Sequence, residues 1–444
     1  MHQNPKQRNE YLLIYNFHIP RILLRPTMSE SHRDTFTSMS SEAVLRARLE
    51  EIGAVLEKKY RETSDIGVLT GISGIAVFCF YYSRFSGKQR YADLGSEILT
   101  EVFDRINNGY DMHTYCSGIS GALWSMEHLR EEGFIELESD AVFPALDDFL
   151  ADCTEQYADE NFYDFLHGIL GIGHYFLIRY RNTGSGVLKE HYANLLTGMV
   201  NRLKKTAITE GDSSKWKSWL VREERLKGYN LGLAHGISGI VNFLSRLLVY
   251  PEFSEVRSLL RGAVHYISSW EGAISGTSLF PAWITESGGK SYRNRLGWCY
   301  GDPGTGLSLW HAGKALQDDA LCTRAVKILE YSTQRTDPEE AGIRDAGLCH
   351  GACGIMHIYR YMERQTNRQA FAMAADFWQQ KALEMAVHPD GYAGYMQWRG
   401  GNRQGWQPET GILEGIAGIG LSIMAELSPD SIKWNECLLI GNSF

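Results

Sequence analysis

Toward the end of the chain, in the stretch GLCHGACGIMHIY (347–359), Cys349, His350 and Cys353 crowd around Gly351 and Gly354. Two related arrangements stand earlier: Cys299 and Tyr300 precede Gly301, and His235 precedes Gly236. Thiolate and imidazole are the donors Zn²⁺ prefers, and a catalytic zinc keeps one corner of its tetrahedron open. Cys299, Cys349 and His350 would supply three donors and leave the fourth position for water or substrate. Two thiolates and a neutral imidazole cancel the charge of the ion. A thiol arriving at the open corner would be deprotonated yet stay nucleophilic, because the other sulfurs donate electron density. Hydrolytic zinc sites more often use histidines and a carboxylate. The expected chemistry is attack by sulfur. The alternative for a free cysteine is a small core residue. That is the expectation for Cys353, which lies one helical turn below Cys349.

What must position these residues is a repeat. The phrase glycine, two residues, glycine, then an apolar run occurs seven times, starting at Gly71, Gly118, Gly168, Gly236, Gly301, Gly351 and Gly415, with starts 47, 50, 68, 65, 50 and 64 residues apart. Before these phrases lie polar stretches with apolar residues at i, i+3, i+4 and i+7, such as SEAVLRARLEEIGAVLEKKY and RYADLGSEILTEVFDRI, the pattern of one-sided helices. The run after each glycine pair is apolar nearly all round, which marks a helix buried on most faces. Seven one-sided helices outside and seven buried helices inside predict an all-α fold, an α/α toroid of two concentric rings, over residues 41–444. Residues 1–40 read as a tail. The paired glycines let the chain turn tightly and let neighbours approach without a Cβ in the way.

If the repeats share one geometry, equal offsets from the first glycine lie at equal heights around one mouth. Two and one residues before it stand Leu69-Thr70, Cys116-Ser117, Leu166-His167, Ala234-His235, Cys299-Tyr300, Cys349-His350 and Leu413-Glu414. Copies four to six thus place His235, Cys299, Cys349 and His350 on one arc. Cys116 shares the register but belongs three copies away from Cys299 and is expected to be structural. His167 and Glu414 are in register and stay open between lining the mouth and packing. Cys79, Cys153, Cys322 and Cys437 are expected to be buried or incidental.

A net charge of −9 with no basic block argues against nucleic acid or an anionic membrane as main partner. Eight cysteines in 444 residues are too sparse for a secreted disulfide scaffold, so a reducing, cytoplasmic setting is expected. His18, Pro20 and Arg21 interrupt the N-terminal apolar run before a signal-peptide core is complete, and Met28 offers a second start. No run approaches the ~20 apolar residues of a membrane span.

WCYG at 298–301, CHG at 349–351, AHG at 234–236 and the seven glycine pairs together resemble the lanthionine synthetase C-like family of lanthipeptide cyclases, over about residues 41–427. The resemblance implies one zinc on Cys299, Cys349 and His350. It implies cyclisation of a dehydrated precursor peptide: a cysteine thiolate adds to dehydroalanine or dehydrobutyrine, giving a lanthionine or methyllanthionine thioether. It further implies His235 as acid/base, Asp164 in YDFLHGILG as a residue that orients a partner or tunes the proton inventory, and Arg295 in RLGWCYG as a stabiliser of enolate charge. Tyr300 is expected to line the same mouth. A dehydratase and an exporter are the implied protein partners, which would bring the protein to a membrane-associated complex. Two rivals accompany this reading. Protein prenyltransferases also activate a cysteine thiol with zinc in an α/α barrel, but with an aspartate ligand and six hairpins. A family member that binds zinc and glutathione, adding glutathione to dehydroamino acids or serving as an adaptor, fits more of the sequence. Some characterised cyclases carry a strand-containing insertion. The longest interruptions here, 205–230 and 271–294, are expected near the mouth, and the Gly- and Trp-rich segment before the last repeat is expected to form a further wall.

Overall fold

The computed structural model describes residues 39–156, 163–221, 224–272, 278–400, 404–428 and 433–441. The expected tail at 1–40 lies, but for its last two residues, outside them. Seven helices follow the glycine pairs: α2 (Ile72–Ser86), α4 (Ile119–Glu131), α6 (Ile169–Asn182), α8 (Ile237–Leu247), α10 (Asp302–Leu316), α12 (Ala352–Thr366) and α14 (Ile416–Leu427). Seven partners alternate with them: α1 (Met39–Lys59), α3 (Gln89–Asn107), α5 (Pro144–Gln156), α7 (Gly186–Thr206), α9 (Arg257–Ser268), α11 (Asp319–Ser332) and α13 (Gln369–Glu384). Every residue of α8 is buried, whereas α3 buries Tyr91, Gly95, Ile98, Leu99, Val102, Phe103 and Ile106 along one stripe. This is the division into an inner and an outer ring that the two apolar patterns require, and each large side chain so buried contributes about 1.5–3 kcal/mol. The ring closes where α14 packs on both α1 and α2.

Helix ends follow from local chemistry. Gly87, Gln317 and Asn367 take left-handed backbone conformations that stop α2, α10 and α12. Asp318 accepts from the Leu321 N–H to start α11.

The fold is not purely helical. Strands β1 (Ile208–Glu210) and β2 (Ser213–Lys215) form a hairpin, and β3 (Ser218–Val221), β4 (Leu226–Asn230) and β5 (Trp283–Thr285) an antiparallel sheet in that order. The two longest interruptions are thus joined, because β4 of the first pairs with β5 of the second. Strands β6 (Gln397–Arg399) and β7 (Gly405–Gln407) make a further hairpin in the Trp-rich segment, pairing Trp398 with Trp406.

The C-terminal turn Lys433–Leu438 enters the ring and is buried from Trp434 to Leu438. It is held by the inner helices: Glu436 meets Arg181 at 2.9 Å, Asn435 Nδ2 lies 3.1 Å from His357 Nε2, and Arg246 donates to the Gly441 carbonyl at 2.6 Å. The indole of Trp298, the residue before Cys299, donates to the Leu438 carbonyl at 2.7 Å. No described helix is long and apolar enough to cross a membrane.

Candidate metal and acid–base site

The turns that begin the inner helices are joined into a belt of backbone hydrogen bonds. Leu69 N–H donates to Cys116 O, Cys116 to Leu166 O, Phe165 to Ala234 O and Leu233 to Cys299 O. Cys299 then donates to Cys349 O, Cys349 to Leu413 O, and Leu413 returns to Leu69 O, all at 2.8–3.2 Å. All seven acceptors and five of the donors sit at the same offset, two residues before the glycine pair, and the belt runs through both zinc-candidate cysteines. The second glycine of each pair makes this packing possible. A Cβ on Gly121, Gly354 or Gly418 would lie 1.9 Å from the carbonyl oxygen of Tyr115, Leu348 or Ile412 respectively. The helix starts need no side-chain cap, because their first N–H groups reach back seven residues, as Ile72 does to Asp65 O and Ala352 to Asp345 O.

On this frame the donor atoms of Cys299, Cys349 and His350 lie within 4.8 Å of one another. Both cysteines are buried, and His350 Nδ1 is buried without a hydrogen-bond partner. An orphaned imidazole nitrogen beside two thiols is an arrangement that costs free energy unless something binds it, and the donor set suits Zn²⁺. A hydrogen bond from Cys349 holds the Cys299 thiol well below its ordinary value against the effect of burial, with His350 and the charge of Arg295 adding to it. Arg295 itself is exposed.

Beside this group lies a second one. Asp164 Oδ2 is hydrogen-bonded to His235 Nδ1, while its Oδ1 accepts from the N–H groups of Leu166 and His167 at 2.7 and 2.8 Å. Burial works against the His235 imidazolium, but the Asp164 carboxylate outweighs it and raises the pKa above the ordinary imidazole value. The carboxyl is correspondingly lowered, again against burial. The Tyr300 ring stands 5.8 Å from that of His235, and Tyr300 Oη accepts from Asn230 Nδ2 at 3.0 Å. Burial pushes the Tyr300 hydroxyl up to about 12. His235, Asp164, His167, Asn230 and Tyr300 border a cavity of about 350 Å³ closed on its other side by Trp216 and β3.

The two in-register residues left open by the sequence both face the mouth. His167 is exposed, with its ring 6.3 Å from that of His235. Glu414 Oε1 lies 3.8 Å from His350 Nδ1, its carboxyl raised to about 7 by burial and held by a hydrogen bond from Gln397. At that distance the carboxylate is a nearby charge and not a hydrogen-bond partner of the ring. Cys353 is buried outside the three-residue group, and burial raises its thiol pKa. Cys116 is buried in register with its sulfur 3.9 Å from Thr70 Oγ1, also outside that group. All eight cysteines are free of disulfides.

Sequence reasoning placed 205–230 near the mouth, where β3 borders the cavity, but missed its strands and the residues Asn230 and Asp345. The two residues were detectable by extending the offsets. Six residues before the first glycine, Asn230, Asp345 and Glu409 each accept from the N–H two residues on. Asp345 also accepts from the Trp398 N–H at 2.9 Å, tying the β6–β7 hairpin to the sixth turn.

The comparisons with known proteins agree with one another. The curated nisin biosynthesis protein NisC of Lactococcus lactis subsp. lactis is 24% identical over 416 residues, covering 87% of this chain and 92% of its own. The solved structure of nisin cyclase superposes with a TM-score of 0.67 at 20% identity, covering 89% of this chain and 97% of its own. The profile of the lanthionine synthetase C-like protein family spans residues 63–439, every glycine turn included, and the chain belongs to that family.

Proposed function

We propose that the protein is a zinc-dependent lanthipeptide cyclase that closes thioether rings in a dehydrated precursor peptide. The observation that carries this is the convergence, on one mouth of the toroid, of a Cys-Cys-His group able to hold a metal with a half-buried His–Asp pair. The names of the relatives, a nisin biosynthesis protein and a nisin cyclase, agree with a peptide substrate.

Cys299, Cys349 and His350 would hold the ion, with the Glu414 carboxyl 3.8 Å from the His350 ring nitrogen. Zinc bound there supplies the positive charge that converts a substrate thiol to thiolate near neutral pH. The addition forms a bond from sulfur to Cβ of the dehydroamino acid, and the alkene electron pair moves toward the carbonyl as an enolate. His235, kept protonated by Asp164, delivers a proton to Cα, and the proton released by the thiol restores the balance. Arg295, whose charge reaches both metal-site thiols, offsets the enolate charge. Tyr300 and His167 border the space in which that proton moves. In the cell we place the protein in the cytoplasm, acting after a dehydratase and before an exporter.

The test is incubation of the zinc-loaded protein with a dehydrated, cysteine-containing peptide, followed by thiol alkylation and mass spectrometry. Loss of alkylatable thiol without change of mass is the expected result. Addition of one glutathione, when it is supplied, would favour the intermolecular reading instead, and no change with either would overturn both enzymatic readings.

A further inference from the structure

The cavity beside His235 has two unlike sides. One carries the proposed acid–base groups. The other is apolar: Trp216, Trp219 and Leu220 from the first insertion face Ile237 and Ile240 of α8. Its volume of about 350 Å³ falls at the small end of ligand pockets, which suits one or two amino-acid side chains and not a long segment.

The polar atoms on its border are largely committed to one another. His235 is bonded to Asp164, and Asn230 to Tyr300. A polar side chain entering the apolar side would lose water and find few partners, whereas an apolar one would lose nothing by entering. A second observation says how such a side chain would be presented. Strand β3 is the edge of its sheet, pairing only with β4 among the described residues, and Ser218, Trp219 and Leu220 on it border the cavity. The buried Ser218 hydroxyl has no hydrogen-bond partner. An edge strand with open backbone groups is a template for an extended peptide, which gains affinity from main-chain bonds and specificity from side-chain pockets.

We infer that this cavity is a specificity subsite for one apolar or aromatic side chain of the substrate peptide, next to its reacting residue, the peptide lying extended along β3. The inference rests on the peptide-cyclase reading for the identity of the chain, and on the cavity for the character of the residue.

The experiment uses the full-length, zinc-loaded protein and two sets of short peptides in which the residue beside the reacting position is Leu, Phe, Gly or Asp. One set carries dehydroalanine, and cyclisation is followed by mass spectrometry. The other carries serine in its place, cannot react, and reports binding alone by calorimetry. Burial of one such side chain predicts that Leu and Phe peptides bind and turn over at least tenfold better than Gly or Asp peptides. Trp219→Ala, at an exposed position, and Leu220→Ala should each reduce that preference at least threefold, with the change in KM. Equal binding of all four peptides, binding of none, or a preference untouched by both substitutions would overturn the subsite. Discrimination by the serine peptides with no cyclisation of the others would uphold the subsite and overturn the cyclase reading; cyclisation without discrimination would do the reverse.

Discussion

Glu436 lies in the C-terminal turn between two guanidinium groups, 2.9 Å from Arg181 and 3.6 Å from Arg246. Burial disfavours its charged form, yet the two arginines prevail and lower its pKa from 4.5 to about 2. A depressed carboxyl pKa contributes stability that is complete above the unfolded value and is lost as pH falls through the folded one. At about 1.4 kcal/mol per pH unit, the shift amounts to about 3 kcal/mol at neutral pH. Glu436→Gln removes that contribution and leaves Arg246, only 4% exposed, without an anion beside it. Breaking a buried pair from one side typically costs about 3–5 kcal/mol. Urea denaturation at pH 7 should therefore show a loss of about 3–5 kcal/mol with an unchanged denaturant slope.

The pH dependence sharpens the test. As pH falls toward about 3.5, wild type should lose about 1–1.5 kcal/mol of the linked contribution, and the gap between wild type and variant should narrow by that amount. Glu131→Gln is the control. Glu131 meets the same Arg181 at 2.6 Å but is 32% exposed, so its loss should cost less than about 1 kcal/mol. A cost below about 1 kcal/mol for Glu436→Gln, or a gap that does not change with pH, would refute the argument that an ionised Glu436 anchors the turn.

Other consequences follow from the site and its frame. Cys299→Ala and Cys349→Ala should each lose stoichiometric zinc as measured by elemental analysis, while Cys353→Ala should keep it; full zinc in both of the first two would overturn the ligand assignment. Asp164→Asn lets burial govern His235, whose pKa then drops, so the alkaline limb of the pH–kcat profile should move to lower pH; an unmoved limb would refute His235 as the proton donor. Gly354→Ala drives a Cβ into the Leu348 carbonyl and should destabilise by several kcal/mol, more than the ~1–3 kcal/mol of ordinary overpacking. Gly198→Ala in α7 meets open space and should stabilise by about 0.5–1 kcal/mol, as a thermal melt will register.

The ring was legible in the sequence because its constraint is local and repeated. A carbonyl pressed against the second glycine of every pair excludes a Cβ seven times over, and an excluded Cβ is visible as a letter. The metal group was legible for a related reason: the belt puts one offset at one height, so Cys299, Cys349 and His350 could be aligned on paper. The insertions were not. Strands β1 to β5 are three to five residues long, too short for alternation to show, and β4 meets β5 across some fifty residues of chain. The cavity wall they build, with Trp216 and Trp219, lies outside the repeat and had no register to betray it. The partnership of Glu414 with His350 joins different repeats through side-chain directions that offsets alone do not supply.

The two proposed catalytic residues that only a family resemblance brought forward share a property that is readable without it. Four residues before the first glycine, five of the seven repeats carry glycine: Gly67, Gly232, Gly297, Gly347 and Gly411. At Gly67, Gly232 and Gly411 a Cβ would come within 2.5–2.7 Å of the neighbouring turn's backbone. The third repeat places Asp164 there, and its Oδ1 takes the Leu166 N–H while Phe165 alone carries the belt onward to Ala234. The freed oxygen, Oδ2, is the one bonded to His235. Six residues before the first glycine, Asn230, Asp345 and Glu409 each brace their own turn, whereas the fifth repeat has Arg295, which cannot accept a hydrogen bond at all. Asp302, the first residue of α10, instead ties this repeat to the second insertion by accepting from the N–H groups of Leu279 and Phe280. In both places a residue that serves the frame elsewhere is replaced by a charged one. A charged residue standing where other repeats carry a structural one is what a functional position in a repetitive frame should look like. At the same two offsets Thr114, Met112 and Phe162 also depart from the frame, but without charge; Asp164 and Arg295 are the charged departures.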